Sequence, residues 1–269
     1  MKIALMDSGI GLLPAAAAVR RLRPDAELVL SSDPDGMPWG PRTPHDLTTR
    51  ALAVARAAAA HGPDALVVAC NTASVHALPA LRAELEPRIP VIGTVPAIKP
   101  AAAAGGPVAI WATPATTGSA YQKRLIAEFA AGVDVAEVPC PGLADAVQFA
   151  DDARVDAAIA AAAALTPPGV TAVVLGCTHY ELVEERIRTA LRPVTGRAVD
   201  LYGSAHAVAA QTLRRIAAEL PAGPAQPSRT GPAGPAALTV LLSGRAAELP
   251  AAALRYPEGR LLGAGAPVA

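Results

Sequence analysis

The chain has 269 residues, enough for one large domain or two of moderate size. Its 52% hydrophobic and 17% charged fractions describe a chain that folds around a sizeable core and exclude a disordered one. Twenty-three Lys+Arg offset 23 Asp+Glu, so no net field draws it to nucleic acid or to an acidic membrane.

In chain order, short apolar runs bounded by turn residues predict strands at 3–6, 28–30, 65–69, 91–92, 108–112, 133–138, 172–175, 199–202 and 238–242. The central runs are continuous rather than alternating, as expected of strands covered on both faces. Thr43, Pro44 and Asp46 supply an N-cap, an N1 proline and an acid for a helix running through Leu47, Ala51, Val54 and Ala58. Val183, Ile187 and Leu191, four apart, give a later helix its buried stripe. Strand and helix in alternation predict an α/β fold with largely parallel sheets. The alanine-rich stretches 101–104 and 157–164 are too short for a bilayer, which takes about 20 apolar residues. The N-terminal apolar stretch is broken by Asp7 and reads as a first buried strand, not a leader. Three cysteines without a secretory signal lead us to expect free thiols in a cytoplasmic protein.

The chain repeats itself. KIALMDSG and PVAIWATPAT are each a strand ending in a polar turn; ALVVACNTAS and AVVLGCTHY are each a strand ending in Cys and polar residues. Asp7 to Thr113 spans 113 − 7 = 106 positions, and Cys70 to Cys177 spans 177 − 70 = 107. Near-equal offsets predict two similar doubly wound α/β domains related by pseudo-two-fold symmetry, one formed by 1–95 with 203–269 and the other by 96–202. The Pro/Gly-rich stretch 221–236 reads as an exposed, mobile connection, and LTVLLSG after it as one more strand.

Ligands of parallel α/β sheets gather at the carboxyl ends of the strands, where helix N-termini favour anions. Asp7, Ser8, Cys70, Asn71, Thr72, Thr113, Thr116, Cys177, Thr178 and His179 all fall at that edge. Each of two thiols sits on a turn from strand into helix, where its pKa is lowered, and His179 stands two residues past Cys177. Two such thiols suit several chemistries. A disulfide fits a secreted chain, zinc wants four ligands and no Cys-x-x-Cys occurs, and a single nucleophile needs only one thiol. Two acid/base groups on opposite faces of one carbon suit inversion at a stereocentre. Asp7 has a helix cap as its alternative reading, Thr72 and Thr178 read as N-caps that also meet a ligand, and Cys140, between two prolines, as packing.

DSGIG, MPWG, VVACNTAS, ATPAT and VVLGCTHY, in this order, resemble the cofactor-independent aspartate/glutamate racemase superfamily, glutamate racemases most closely, over nearly the whole chain. The resemblance implies two similar domains with the substrate in the cleft between them. It implies Cys70 and Cys177 as the two catalytic thiols, assisted by Asp7 and His179. It assigns Ser8, Trp39, Gly40, Asn71, Thr72, Thr113, Thr116 and Thr178 to substrate binding. It further implies a small amino-acid substrate, no pyridoxal phosphate or metal, a homodimer, and a role in making D-glutamate for peptidoglycan. The chain departs from the family at Leu12 for a glycine, Trp39 for a tyrosine, Gln148 for a glutamate and Glu181 for a proline. These departures keep two alternatives open: racemisation of aspartate or of a specialised-metabolism intermediate, and a catalytically weak homologue with a binding or regulatory role.

Overall fold

A computed structural model describes residues 1–219 and 236–264. The chain divides into two compact units, Met1–Thr94 with Ala205–Ala269, and Val95–Ser204. The first unit opens with β1 (Lys2–Asp7), α1 (Leu13–Leu22), β2 (Glu27–Ser32), α2 (Pro44–Ala59), β3 (Ala65–Val68), α3 (Asn71–His76), α4 (Leu78–Leu85) and β4 (Val91–Gly93). The second holds α5 (Ile98–Ala103), β5 (Val108–Ala112), α6 (Ala120–Phe129), β6 (Val135–Pro139), α7 (Leu143–Gln148), α8 (Asp152–Leu165), β7 (Ala172–Leu175), α9 (Glu184–Thr195) and β8 (Asp200–Tyr202). The chain then returns to the first unit with α10 (Ala205–Glu219), β9 (Leu238–Leu242), β10 (Arg245–Ala247), α11 (Ala251–Leu254) and α12 (Pro257–Gly263). The connection expected at 221–236 falls, up to residue 235, outside the described residues.

Local chemistry explains the elements. Thr43, in extended backbone, accepts from the Asp46 N–H at 3.3 Å, Pro44 takes the first helical position, and α2 buries Leu47, Ala51, Val54, Ala55 and Ala58 on one stripe. All five β5 residues and all four β7 residues are buried, which is why these strands read as unbroken apolar runs. Two features differ from the sequence reading. Val183 ends a 3₁₀ turn (Thr178–Val183) and caps α9 rather than starting it. β10 is a strand that no apolar run announces, because its three side chains are exposed; backbone pairing to β9 and an Arg245–Asp35 ion pair at 2.7 Å hold it.

Among the described residues the first unit's sheet runs β10-β9-β2-β1-β3-β4 and the second's β6-β5-β7-β8, parallel throughout except for β10. The order β2-β1-β3-β4 is repeated as β6-β5-β7-β8. In each unit the first strand is flanked by the second and the third, so successive crossovers diverge there. The carboxyl edge of that strand pair is the topological switch point, where open α/β sheets bind ligands. Each unit has its own core: Met6, Val29, Trp39, Val54, Val68, Cys70 and Leu81 pack together in the first, and Val108, Ile110, Leu125, Ala172 and Val174 in the second. Full burial of a Val or Leu side chain stabilises by about 1.5–3 kcal/mol, so these apolar clusters are what fix the strand ends in place.

Candidate active site

In the first unit β1 and β3 pair up to Met6 and Val68, and the Ala69 N–H donates to the Met6 carbonyl at 2.8 Å. That extra rung carries Asp7 and Cys70 to the same sheet edge. Asp7 is fully buried, Ser8 and Asn71 are buried, and Thr72 is half-buried. Cys70 is the N-cap residue of α3, with extended backbone (φ −144°, ψ 119°), and its carbonyl accepts from the Ser74 N–H at 2.9 Å.

The second unit repeats this arrangement. The Gly176 N–H donates to the Trp111 carbonyl at 2.8 Å, extending the β5–β7 ladder by one rung. A Cβ at Gly176 would lie 2.8 Å from that carbonyl oxygen, so only glycine lets β7 approach β5 immediately before Cys177. Cys177 is an extended N-cap (φ −135°, ψ 133°) of the 3₁₀ turn, and its carbonyl accepts from the Tyr180 N–H at 3.0 Å. After β5, Thr113 and Thr116 form a tight turn: the Thr116 N–H donates to the Thr113 carbonyl at 2.9 Å, and their hydroxyls lie 3.3 Å apart. Thr178 is buried.

His179 is buried between two partners. Its Nδ1 is 3.9 Å from the Cys177 Sγ, and its Nε2 is 3.0 Å from the Gln148 Oε1. A carbonyl oxygen only accepts, so Nε2 carries the proton and the Nδ1 lone pair faces the thiol. Gln148, singled out by sequence only as a departure, therefore sets the tautomer of His179. The remaining thiol is chemically different. Cys140 is buried, and burial pushes its pKa up to about 12, so it stays protonated at neutral pH.

Trp39 is 1% exposed, and its indole N–H donates to the Asp33 carboxylate at 3.0 Å. Gly40 is half-buried beside it. Sequence reasoning did not find Asp33: an acid in a turn-rich segment, SSDPDGMPWG, carries no distinguishing signal. His45, His61, His76 and His206 are exposed. Among the described residues, no group of three or more His, Cys, Asp or Glu side chains is arranged to hold a metal ion, and no helix is long and apolar enough to cross a membrane.

The family model described as Asp/Glu/Hydantoin racemase matches residues 13–212, a stretch that contains both cysteine turns. The chain belongs to the Asp/Glu/hydantoin racemase family. It is 39% identical over 191 residues to a glutamate racemase of Roseiflexus sp., covering 69% of this chain and 70% of that protein. With a glutamate racemase of Pseudomonas putida it shares 36% over 231 residues, covering 83% and 85%. Among solved structures, it resembles the Escherichia coli glutamate racemase crystallised with L-glutamate and the activator UDP-MurNAc-ala, at a TM-score of 0.69 and 30% identity, covering 84% of this chain and 86% of that one. The Aquifex pyrophilus glutamate racemase, at 23% identity and a TM-score of 0.67, shares the fold over the whole of this chain. Family membership thus agrees with the α/β architecture.

Proposed function

We propose that the protein is a cofactor-independent racemase interconverting L- and D-glutamate, with Cys70 and Cys177 serving opposite faces of the amino acid's α-carbon. The observation that carries this reading is the repetition of one arrangement, a thiol on the N-cap turn after the third strand, at the switch points of two sheets that share a four-strand order. One thiolate takes the α-proton, becoming a thiol and leaving a planar carbanion. The other thiol gives its proton to the opposite face and is left as the thiolate. His179 and Asp7 exchange protons with their thiols between turnovers. Ser8, Gly40, Asn71, Thr72, Thr113, Thr116 and Thr178 offer hydroxyl, amide and backbone donors to the carboxylate on which charge develops. The relatives named glutamate racemase support glutamate as the substrate, and supply of D-glutamate to peptidoglycan is the role that the family resemblance implies. A cytoplasmic homodimer belongs to the same reading.

Starting from one enantiomer in D₂O, early product should carry deuterium at Cα while recovered substrate stays protiated. Cys70→Ala and Cys177→Ala should each lower racemisation by roughly 10³-fold or more while the fold is retained. Product that keeps its protium, or a folded single-alanine variant with near-normal turnover, would refute the two-thiol assignment. A chiral assay against both enantiomers of the twenty amino acids identifies the substrate; preference for another amino acid would replace glutamate and leave the mechanism standing.

A further inference from the structure

The first unit contains a buried carboxylate with no part in proton transfer. Asp33 is 5% exposed. Its Oδ2 accepts from the Trp39 indole N–H at 3.0 Å and from the Arg50 guanidinium at 3.2 Å. Its Oδ1 accepts from the Ser243 hydroxyl at 3.2 Å; the same hydroxyl oxygen accepts from the Asp35 N–H, which directs its own proton to Asp33. The Asp33 N–H donates to the Ser8 carbonyl at 3.2 Å. One residue thus ties together the Ser8 turn, the Trp39–Gly40 loop, α2 and the β9–β10 turn.

The surroundings are built around this carboxylate. Ser243 has a left-handed backbone (φ 48°), which a serine adopts at some energetic expense and which here aims its hydroxyl at Asp33. Gly36 leaves the room: a Cβ there would collide with the Asp33 carboxylate and the Arg50 guanidinium. The Trp39 ring lies in the same packed cluster as Cys70, Met6 and Ala73. Because the indole's only polar atom is bonded to Asp33, the Trp39 side chain has no donor left for a ligand.

We propose that Asp33 is a positioning residue for amino-acid binding: it fixes the Trp39 indole as an apolar wall of the Cys70 side of the site and holds the Ser8 and Gly40 backbone in register. Trp39 then limits the size of the substrate side chain and does not recognise its charge. This rests on the reading of Ser8, Trp39 and Gly40 as amino-acid contacts.

The test compares Asp33→Asn, Trp39→Phe and the double variant, by kinetics with glutamate and by Trp39 emission in a Trp111→Phe background, where Trp39 is the sole tryptophan. All three side-chain partners of Asp33 are donors, so an amide NH₂ must face at least one of them. Asp33→Asn should raise KM about tenfold with kcat within about threefold, and the double variant should be no worse than Asp33→Asn alone, as for two residues acting through one contact. The Trp39 emission of Asp33→Asn should move to the red as the ring loosens. Should Asp33→Asn not fold, Ser243→Ala, which keeps the Arg50 pair, should raise KM about twofold to threefold by removing one of the carboxylate's bonds. A folded Asp33→Asn with unchanged KM and emission, or strictly additive effects, would overturn the proposal. Cys70→Ala separates the two levels: if it is inactive while Asp33→Asn binds normally, only the positioning role fails, and if it turns over, the site reading fails with it.

Discussion

Replacing Gln148 by an ionisable or an apolar residue probes the electrostatics of the second thiol directly. Gln148 is buried and places a neutral acceptor 3.0 Å from His179 Nε2. In Gln148→Glu a carboxylate occupies that position, with charge centres about 4.5 Å apart; at an effective dielectric of about 20 their attraction is about 4 kcal/mol. Desolvation of the buried carboxylate offsets part of this attraction, and what remains raises the His179 pKa. The imidazolium then persists to higher pH, and the thiolate–imidazolium pair gains over the neutral pair. Gln148→Leu works in the other direction. It removes the bond between the ring N–H and Gln148 at a cost of about 1–3 kcal/mol and loosens the hold on the tautomer, so kcat/KM should fall roughly fivefold to 150-fold. The fall must be equal from L- and from D-substrate, because racemisation has an equilibrium constant of one and the two kcat/KM values cannot differ. The assays are NMR titration of the histidine ring protons, in which the four exposed histidines serve as internal references, and circular dichroism of turnover from each enantiomer. An unshifted His179 in a folded Gln148→Glu, or full activity in Gln148→Leu, would refute the role given to this hydrogen bond.

Two other perturbations have worked-out signs. Burial raises the folded-state pKa of Cys140 from 9.0 to about 12; the unfolded chain therefore loses this proton first, and stability should be full below pH 9 and fall by about 1 kcal/mol per pH unit between pH 9 and 12. Burial also raises Tyr180, with the same sign at higher pH, so the check is the difference between wild type and Cys140→Ala in urea melts, and a Cys140→Ala curve parallel to wild type would refute it. Gly176→Ala drives a Cβ to 2.8 Å from the Trp111 carbonyl oxygen, so β7 must shift, lowering stability by about 1–3 kcal/mol. Because Cys177 is the next residue, turnover should fall by more than the loss of folded protein explains, as read by kcat against the thermal midpoint.

The fold is legible wherever burial forces a pattern. The runs at 108–112 and 172–175 coincide with β5 and β7 because both faces of these strands are covered and nothing polar fits. Thr43-Pro44 marks the start of α2 because capping is local chemistry, complete within four residues. β10 was illegible for the converse reason: Arg245–Ala247 buries no side chain, so its composition carries no period. At the site, the strand-to-polar switch at each cysteine is written in adjacent residues. The partners that tune the site are not. Gln148 and His179 are 31 residues apart, and Asp33 and Ser243 are 210 apart. Trp39 shows the consequence. Its type suggested a substrate contact, but the acceptor that occupies its N–H becomes visible only once the chain has folded.

The two units share a four-strand order and the position of a thiol, yet the groups beside the thiols differ. At the end of the first strand, one unit has a buried acid, Asp7, while the other has the Thr113 turn and carries an imidazole, His179, on the cysteine turn itself. A reaction between mirror images does not require identical halves. Its equilibrium constant fixes the ratio of the two kcat/KM values at one, but kcat alone depends on which thiol must be a thiolate once substrate is bound. Under the proposed mechanism, unequal kcat values for the two enantiomers, balanced by unequal KM values, follow from an acid beside one thiol and an imidazole beside the other. Under the same mechanism, units alike in the position of their thiols differ in the one property, proton affinity, that the symmetry of the reaction leaves free.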